Sequence, residues 1–197
     1  MFDYENKYLE LGKKYIAGID EAGRGPLAGP VATAIVIMPL DKESIIEKVN
    51  DSKKLTEKMR DRLFDEIKEK AIAYHVELVD EATIDAINIL NATKLGMLTC
   101  IENILVKPDI VLIDAVKLDT EYETEPIIKG DALSYSIACA SILAKVTRDR
   151  YMLELDNKYP EYNFKKHKGY GTKEHIENLK KYGKCPAHRD SFIKNFV

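Results

Sequence analysis

The chain has 197 residues, of which 45% are hydrophobic and 32% charged, and its formal net charge is −3. These values are typical of a compact globular domain with a sizeable core. The first 15 residues lack the apolar segment of a signal peptide, and the most apolar stretch, residues 31–38, is too short to cross a bilayer. Three widely spaced cysteines (Cys100, Cys139 and Cys185) argue against a disulfide framework or a zinc site. We therefore expect a cytoplasmic protein with reduced thiols and no membrane partner.

Hydrophobic periodicity predicts an α/β fold, a mixed five-stranded sheet covered by helices on both faces. Strands are predicted, in chain order, at residues 15–20, 31–38, 71–79, 109–114 and 126–129. Helices are predicted at residues 56–70, at 81–106 with a break near 87–89, from 131 to about 157, and from a cap at 172 to 183. The first two strands should be antiparallel neighbours. We expect residues 1–157 to form the main domain and 158–197 a small helical C-terminal extension of the same compact unit.

The end of the first predicted strand carries the strongest local signal. Asp20 and Glu21 follow the apolar residues of that strand, and the turn Gly23-Arg24-Gly25 follows them. A glycine turn lets the backbone approach a ligand closely, and an arginine there could contact a phosphate. The spacing matches neither the Walker loop nor the dinucleotide-binding motif, so a plain β-turn is the alternative. Side chains alternate in a strand, so Asp20 and Glu21 reach one pocket only if the strand bends or one contributes in another way.

Four acids lie at predicted element ends: Asp20, Glu21, Asp114 and Asp131. If distant strands meet at one sheet edge, these carboxylates would repel one another unless a divalent cation neutralised them. Oxygen ligands of this kind suit Mg²⁺ or Mn²⁺, and such a centre could hydrolyse a phosphodiester. The structural alternatives are that Asp131 caps a helix and that Asp114 only ends a strand.

The last quarter of the chain is basic although the whole chain is acidic. From residue 145 to the end there are 13 lysines and arginines against 7 acids, whereas the rest has 17 against 26. This segment contains an aromatic, glycine-punctuated stretch around Tyr170. Such an asymmetry is typical of a carboxylate site beside a polyanion-binding surface, and a solvated lysine-rich face is the alternative.

Several blocks of the sequence together resemble the ribonuclease HII family. They are Gly18-Ile-Asp-Glu-Ala-Gly-Arg-Gly-Pro26, Asp51-Ser-Lys-Lys-Leu55, Asn88-Ile-Leu-Asn-Ala-Thr93, Ile113-Asp114, Lys129-Gly-Asp131, residues 136–149, His167-Lys-Gly-Tyr-Gly-Thr172 and His188-Arg189. The blocks keep the family order and span nearly the whole chain. The related ribonuclease HIII carries an added N-terminal domain, and only about fifteen residues precede the first block here, which favours HII. Ala115 and Cys139 depart from the usual glycine and alanine, with little expected consequence.

The resemblance implies a ribonuclease H-like fold and a metal-dependent endoribonuclease. Its substrates would be RNA–DNA hybrids and duplex DNA with single embedded ribonucleotides, cut by a monomer to leave 3′-hydroxyl and 5′-phosphate ends. It implies catalytic and metal-binding roles, with Mg²⁺ or Mn²⁺, for Asp20, Glu21, Asp114 and Asp131. It implies substrate-binding roles for Gly23, Arg24, Gly25, Lys53 and Tyr170. Tyr170 would stack on the deoxyribose that follows the ribonucleotide, and Lys53 would contact the backbone.

Other interpretations stay open at this point. The chain could be an inactive nucleic-acid-binding module on the same fold, although four acids would weaken polyanion binding. It could also be a phosphatase acting on small esters, although the basic tail would then have little purpose. We interpret His167, His175 and His188 as structural or phosphate-adjacent residues rather than catalytic bases.

Overall fold

A computed structural model describes residues 1–49 and 55–196. The strands are β1 (Ile16–Ala22), β2 (Val31–Ile37), β3 (Ala73–Val79), β4 (Ile110–Asp114) and β5 (Thr124–Ile127). The helices are α1 (Asp3–Glu10), α2 (Glu57–Lys70), α3 (Glu81–Ile87), α4 (Ile89–Asn103), α5 (Gly130–Leu133), α6 (Tyr135–Lys158), a 3₁₀ turn (Pro160–Tyr162), α7 (Phe164–His167), α8 (Lys173–Tyr182) and α9 (Asp190–Ile193). None of the helices in this described part of the chain has the length and apolar character needed to cross a membrane.

The strands form one mixed sheet in the order β3-β2-β1-β4-β5. β1 and β3 each pair antiparallel with β2, whereas β4 pairs parallel with both β1 and β5. Apolar residues of β2 pack with α2 and α6 on one face of the sheet. The other face, with residues of β1, β2 and β4, packs against α4. The predicted mixed sheet with helices on both faces is therefore confirmed.

Helix α6 lies so close to the central strand β1 that only glycine fits at their crossing. A Cβ atom on Gly18 would lie 2.1 Å from the carbonyl carbon of Ser136 and 2.3 Å from the backbone nitrogen of Ile137. Side chains alternate along a strand, so Asp20 points to the same face as Gly18 and also meets α6. The packing of this helix thus fixes the position of the first acid.

Most predicted elements are confirmed, and the differences have local causes. The break predicted near residues 87–89 lies at Asn88, whose φ of 67° ends α3 before α4 begins. The helix predicted from residue 131 is two helices, because the Ser134 side chain accepts a hydrogen bond from the Ile137 N–H and caps α6. Asp131 therefore lies inside the short helix α5 and does not cap α6. The fifth strand ends at Ile127, two residues before the predicted end.

The sequence did not predict helix α1. Its buried Glu5 accepts hydrogen bonds from the Ser134 hydroxyl (2.6 Å) and from the Ser136 N–H (2.9 Å), at the start of α6. A contact across more than 120 residues has no signature in an eight-residue segment. Tertiary packing therefore decides this helix.

The C-terminal extension packs against the loop between β1 and β2. Phe164, Cys185 and Ala187 share an apolar cluster with Ala28 of that loop and with Met152 of α6. The boundary between residues 157 and 158 stays a prediction. The contacts nevertheless show that the C-terminal extension packs against the loop that begins with the Gly-Arg-Gly turn and supports it.

Replacing Gly18 by alanine tests the close crossing of β1 and α6. Because the new methyl group would overlap backbone atoms, we expect Gly18→Ala to lower the free energy of unfolding by about 3 kcal/mol. Urea denaturation measures this loss. Gly12→Ala is the control, since its methyl group meets no atom within 4 Å and only the positive φ costs about 1 kcal/mol. Equal losses in both variants would contradict the proposed close packing.

Candidate active site

A cavity of about 230 Å³ opens where β1 and β4 separate. Pairing between these two parallel strands ends at Ile19 and Ile113, one residue before an acid on each strand. Crevices at the carboxyl ends of such strands are common ligand sites. The cavity is lined by Asp20, Glu21, Ala22, Gly23, Arg24, Gly25, Asp114, Ser141, Lys145 and Tyr170. The structure therefore brings together three of the four predicted acids, the predicted turn and the predicted tyrosine.

Asp20 is the most deeply buried acid lining the cavity, with 4% of its surface exposed. Burial, followed by the negative charges of Glu21 and Asp114, raises the pKa of Asp20 well above its usual value. The Ser141 hydroxyl and the Glu21 N–H, the latter at 2.7 Å, donate hydrogen bonds that oppose this shift. Asp20 is thus close enough to Glu21 and Asp114 to be repelled by both of them.

Glu21 reaches the cavity although it follows Asp20 directly. β1 remains paired with β2 through Ala22, so the strand does not end at Glu21. Its β4 side is open beyond Ile19, however, and side chains from both faces can reach that open edge. An oxygen of the Glu21 carboxylate lies 3.5 Å from a guanidinium nitrogen of Arg24, which ties the acid to the turn.

Asp114 and Asp131 are linked through the residue between them. The Gly130 N–H donates a hydrogen bond to Asp114 Oδ1 at 2.7 Å. A Cβ atom on Gly130 would lie 2.6 Å from Ile137 Cδ1 and 3.3 Å from Asp114 Oδ1, so the two segments pack closely here. Asp131 is buried and follows Gly130 directly, but it is not among the residues that line the cavity.

The Gly-Arg-Gly turn is adjacent to Tyr170. A Cβ atom on Gly25 would lie 3.9 Å from the Tyr170 ring. The tyrosine is 45% exposed, so it is not a core residue. Arg24 is also exposed. An arginine and an aromatic ring therefore flank the acids on the open side of the cavity.

Buried histidines hold the segment that carries Tyr170. His175 Nδ1 lies 2.9 Å from the carbonyl oxygen of Tyr170, and His167 Nδ1 accepts from the Gly169 N–H at 3.2 Å. The rings of His167 and His175 stack at 4.5 Å, and His188 Nε2 lies 3.1 Å from His175 Nε2. Burial lowers the pKa of His175 to about 4 and also lowers the pKa values of the other two. These contacts support the structural interpretation of the three histidines.

Two residues that line the cavity were missed from the sequence. Ser141, which bonds Asp20, and Lys145, whose Nζ lies 2.7 Å from Asp149, are one turn apart on α6. A serine and a lysine four residues apart in the otherwise apolar stretch 137–146 of this helix were the available signal. The predicted Lys53 lies outside the described residues.

A larger cavity among the described residues, of about 600 Å³, is also lined by acids, namely Glu81, Asp85 and Asp190. Asp85 accepts the N–H groups of Asp190 and Ser191, and Asp190 pairs with Lys184. Asp85 and Asp190 thus fasten the C-terminal segment to α3.

Comparison with known proteins agrees with the geometry. The crystal structure of ribonuclease H2 from Pyrococcus horikoshii OT3 superposes with a TM-score of 0.76 over 90% of this chain and 93% of that one, at 29% identity. The ribonuclease HII in a structure of the PCNA:RNase HII complex from Archaeoglobus fulgidus gives 0.77 over 89% and 94%, at 27% identity. The fold, with acids where β1 and β4 separate, thus defines a ribonuclease H-like protein.

Comparison with sequence relatives assigns a family within the class of ribonuclease H-like proteins. Residues 17–195 match the family model described as Ribonuclease HII. The ribonuclease HII of Caldicellulosiruptor bescii is 59% identical over 197 residues, which is all of this chain and 95% of that protein. The chain belongs to the ribonuclease HII family, and the predicted enzyme class, a ribonuclease H, is confirmed.

Replacing Asp20 by asparagine tests the cost of ionising this buried acid beside Glu21 and Asp114. Because the pKa of Asp20 is raised by folding, ionising this group costs stability. The cost is absent below the unfolded-state pKa of about 4, grows as pH rises through the folded-state pKa, and amounts to about 1.4 kcal/mol per unit of pKa difference. In chelator, Asp20→Asn should therefore be more stable than the wild type at about pH 7 and similar to it at about pH 3.

Urea denaturation at the two pH values measures this difference. Asp119→Asn is the matched control, because this aspartate is exposed and lies outside the cavity. A stability difference for Asp20→Asn that did not grow with pH would contradict the raised pKa of Asp20 in the folded protein.

Proposed function

We propose that this enzyme hydrolyses the RNA strand of RNA–DNA hybrids and also incises 5′ of single ribonucleotides embedded in duplex DNA. The products would carry 3′-hydroxyl and 5′-phosphate ends. The observation that carries the proposal is one cavity lined by three carboxylates, a Gly-Arg-Gly turn and an exposed tyrosine, in a chain of the ribonuclease HII family.

A divalent cation, Mg²⁺ or Mn²⁺, is part of the proposal. Among residues 1–49 and 55–196, no group of three or more His, Cys, Asp or Glu side chains is already arranged to hold a metal ion. The donor chemistry nevertheless fits, because the cavity offers carboxylate oxygens, and because burial and the charges of Glu21 and Asp114 raise the pKa of Asp20. We assign Asp20, Glu21, Asp114 and Asp131 as the ligands. Such a cation supplies a nucleophile at neutral pH and stabilises the leaving oxygen.

The turn and the tyrosine supply selectivity. Only the 2′-hydroxyl distinguishes a ribonucleotide from a deoxyribonucleotide, so hydrogen-bonding groups must lie close to the sugar. Backbone groups of Gly23, Arg24 and Gly25 can approach that closely, and Arg24 adds a charge for the adjacent phosphate. Tyr170 presents its exposed ring to the next sugar, where an added 2′-hydroxyl would disturb the contact. This arrangement favours a junction between ribose and deoxyribose.

The basic tail would hold the duplex without reading its sequence. Lys165, Lys166 and Lys168 are near Tyr170 in the chain, although Lys165 and Lys166 also pair with Asp156 and Glu174. Phosphate contacts of this kind position a duplex and carry no base specificity. Lys53 is proposed as a further backbone contact. We further propose that the enzyme acts as a cytoplasmic monomer.

A labelled duplex with one ribonucleotide tests this function directly. With Mg²⁺ or Mn²⁺ the wild type should cut 5′ of the ribonucleotide, and chelator should abolish the cut. Asp114→Asn should lower the rate by a factor of about 10² or more, because it removes one charge from the site. Asp119→Asn should leave the rate unchanged. Binding without cleavage would support the inactive module, and hydrolysis of small phosphate esters alone would support the phosphatase.

Replacing Tyr170 by alanine tests the selectivity. Ring stacking on nucleotides is worth about 1–3 kcal/mol, so cleavage at the junction should fall by about tenfold. The melting temperature should change little, since the ring is 45% exposed. Tyr182→Ala is the control, because Tyr182 is a similarly exposed tyrosine of the same tail. Global unfolding of Tyr170→Ala would mean that the ring belongs to the core.

A further inference from the structure

Two buried arginines, Arg148 of α6 and Arg189 before α9, lie behind the Gly-Arg-Gly turn. Their side chains are 1% and 0% exposed, and neither forms a salt bridge with a carboxylate in the described part of the chain. Each donates three hydrogen bonds, all to backbone carbonyl oxygens. Arg189 bonds Gly23 (2.6 Å), Arg24 (3.0 Å) and Gly29 (2.8 Å), and Arg148 bonds Ala28 (3.0 Å), Pro30 (2.9 Å) and Lys168 (3.0 Å).

Arg189 determines which way the turn presents its backbone. In a planar trans peptide the N–H points opposite to the C=O. Because Arg189 holds the carbonyl oxygens of Gly23 and Arg24, the N–H groups of Arg24 and Gly25 point away from this guanidinium. The backbone N–H donors of the turn therefore point away from the protein interior.

Arg148 connects the turn to the segment that carries Tyr170. A Cβ atom on Gly23 would lie 2.0 Å from Arg148 Nε, so the arginine packs directly against this glycine. The same guanidinium bonds the Lys168 carbonyl, two residues before Tyr170, and its central carbon lies 5.9 Å from the centre of the Tyr170 ring. One rigid side chain thus contacts both groups that flank the acids.

A buried guanidinium is costly, and a well-packed apolar residue would usually serve stability as well or better. Burial lowers the pKa of Arg148, and burial with the charge of Arg148 lowers the pKa of Arg189 to about 9. The planar fork of arginine can hold several carbonyl groups at fixed directions, which lysine cannot do. Arginine therefore contributes fixed hydrogen-bond directions to the backbone at this position.

We propose that Arg148 is a positioning residue for ribonucleotide selection, which fixes the separation between the Gly-Arg-Gly turn and Tyr170. The inference rests on the proposed function and deepens it. Arg148 is buried and does not touch the substrate in this proposal. It acts on the substrate only by holding the turn and Tyr170 in place. Losing it should therefore impair the junction substrate, which needs the turn and the tyrosine at once, more than a continuous RNA–DNA hybrid.

The experiment compares kcat/KM for a duplex with one ribonucleotide and for a continuous hybrid of the same length. Arg148→Lys keeps the charge but loses the fork. Because a misplacement of about 1 Å can cost up to 10² in rate, we expect the preference for the junction to fall by about tenfold, mainly in kcat. Arg150→Lys is the matched control, since Arg150 is on the same helix, is half-exposed and pairs with Asp61. Its preference should equal that of the wild type.

A second variant and a mutant cycle separate positioning from stability. Arg148→Gln is neutral and keeps two N–H donors, so it avoids a poorly bonded buried charge if Arg148→Lys fails to fold. Each variant is assayed at a temperature where circular dichroism shows it folded. In a Tyr170→Leu background the Arg148 substitution should no longer change the preference, because the two residues act as a pair.

The outcomes are distinct. An unchanged preference in a folded Arg148 variant would overturn the inference while leaving the proposed function intact, as would an undiminished effect in the Tyr170→Leu background. A wild-type protein that cleaves neither duplex would overturn the proposed function and the inference with it. If the Arg148 substitution lowers the preference in the wild-type background but has no effect in the Tyr170→Leu background, the result supports both the inference and the proposed function.

Discussion

The close contact between β1 and α6 is the constraint on which the first acid, the turn and the segment with Tyr170 depend. At Gly18 the helix backbone comes within about 2.1 Å of where a Cβ atom would lie, so the strand and the helix are fixed relative to each other. Two residues further along β1, Asp20 meets Ser141 of the same helix. Continuing along α6, Arg148 packs against Gly23, where the chain has just left the strand. One helix therefore supports the first acid, the turn and, through Lys168, the segment with Tyr170.

Charge is distributed on two sides of the turn. In front, where β1 and β4 separate, burial and the charges of Glu21 and Asp114 raise the pKa of Asp20. Behind, two guanidinium groups are buried against backbone carbonyl oxygens. The carboxylates line the cavity, whereas the hydrogen bonds described for the two arginines all go to backbone carbonyl oxygens. The Gly-Arg-Gly turn thus lies between carboxylates on one side and buried guanidinium groups on the other.

Local sequence signals were sufficient where a segment's own residues settle its structure. The apolar run before Asp114 and the Thr56 cap of α2 were predicted in place. They failed for α1, which depends on the contact of Glu5 with the distant Ser134. They also missed the local cap by the same serine, which divides α5 from α6. Side-chain alternation alone could not decide whether the adjacent Asp20 and Glu21 both reach one pocket. They do so because the β1–β4 pairing ends early, at Ile19.

The sequence by itself determined the family, the mixed sheet with helices on both faces, and the identity of the acids, the turn and the tyrosine as candidates. It could do so because the motifs are contiguous and hydrophobic periodicity is a local property. Only the tertiary structure decided that Asp20, Glu21 and Asp114 line one cavity while Asp131 lies behind Gly130, and that Arg148 joins the turn to Tyr170. These relations depend on where the strands separate and on which carbonyl groups a buried side chain can reach. Residues that are neighbours in the chain do not determine either property.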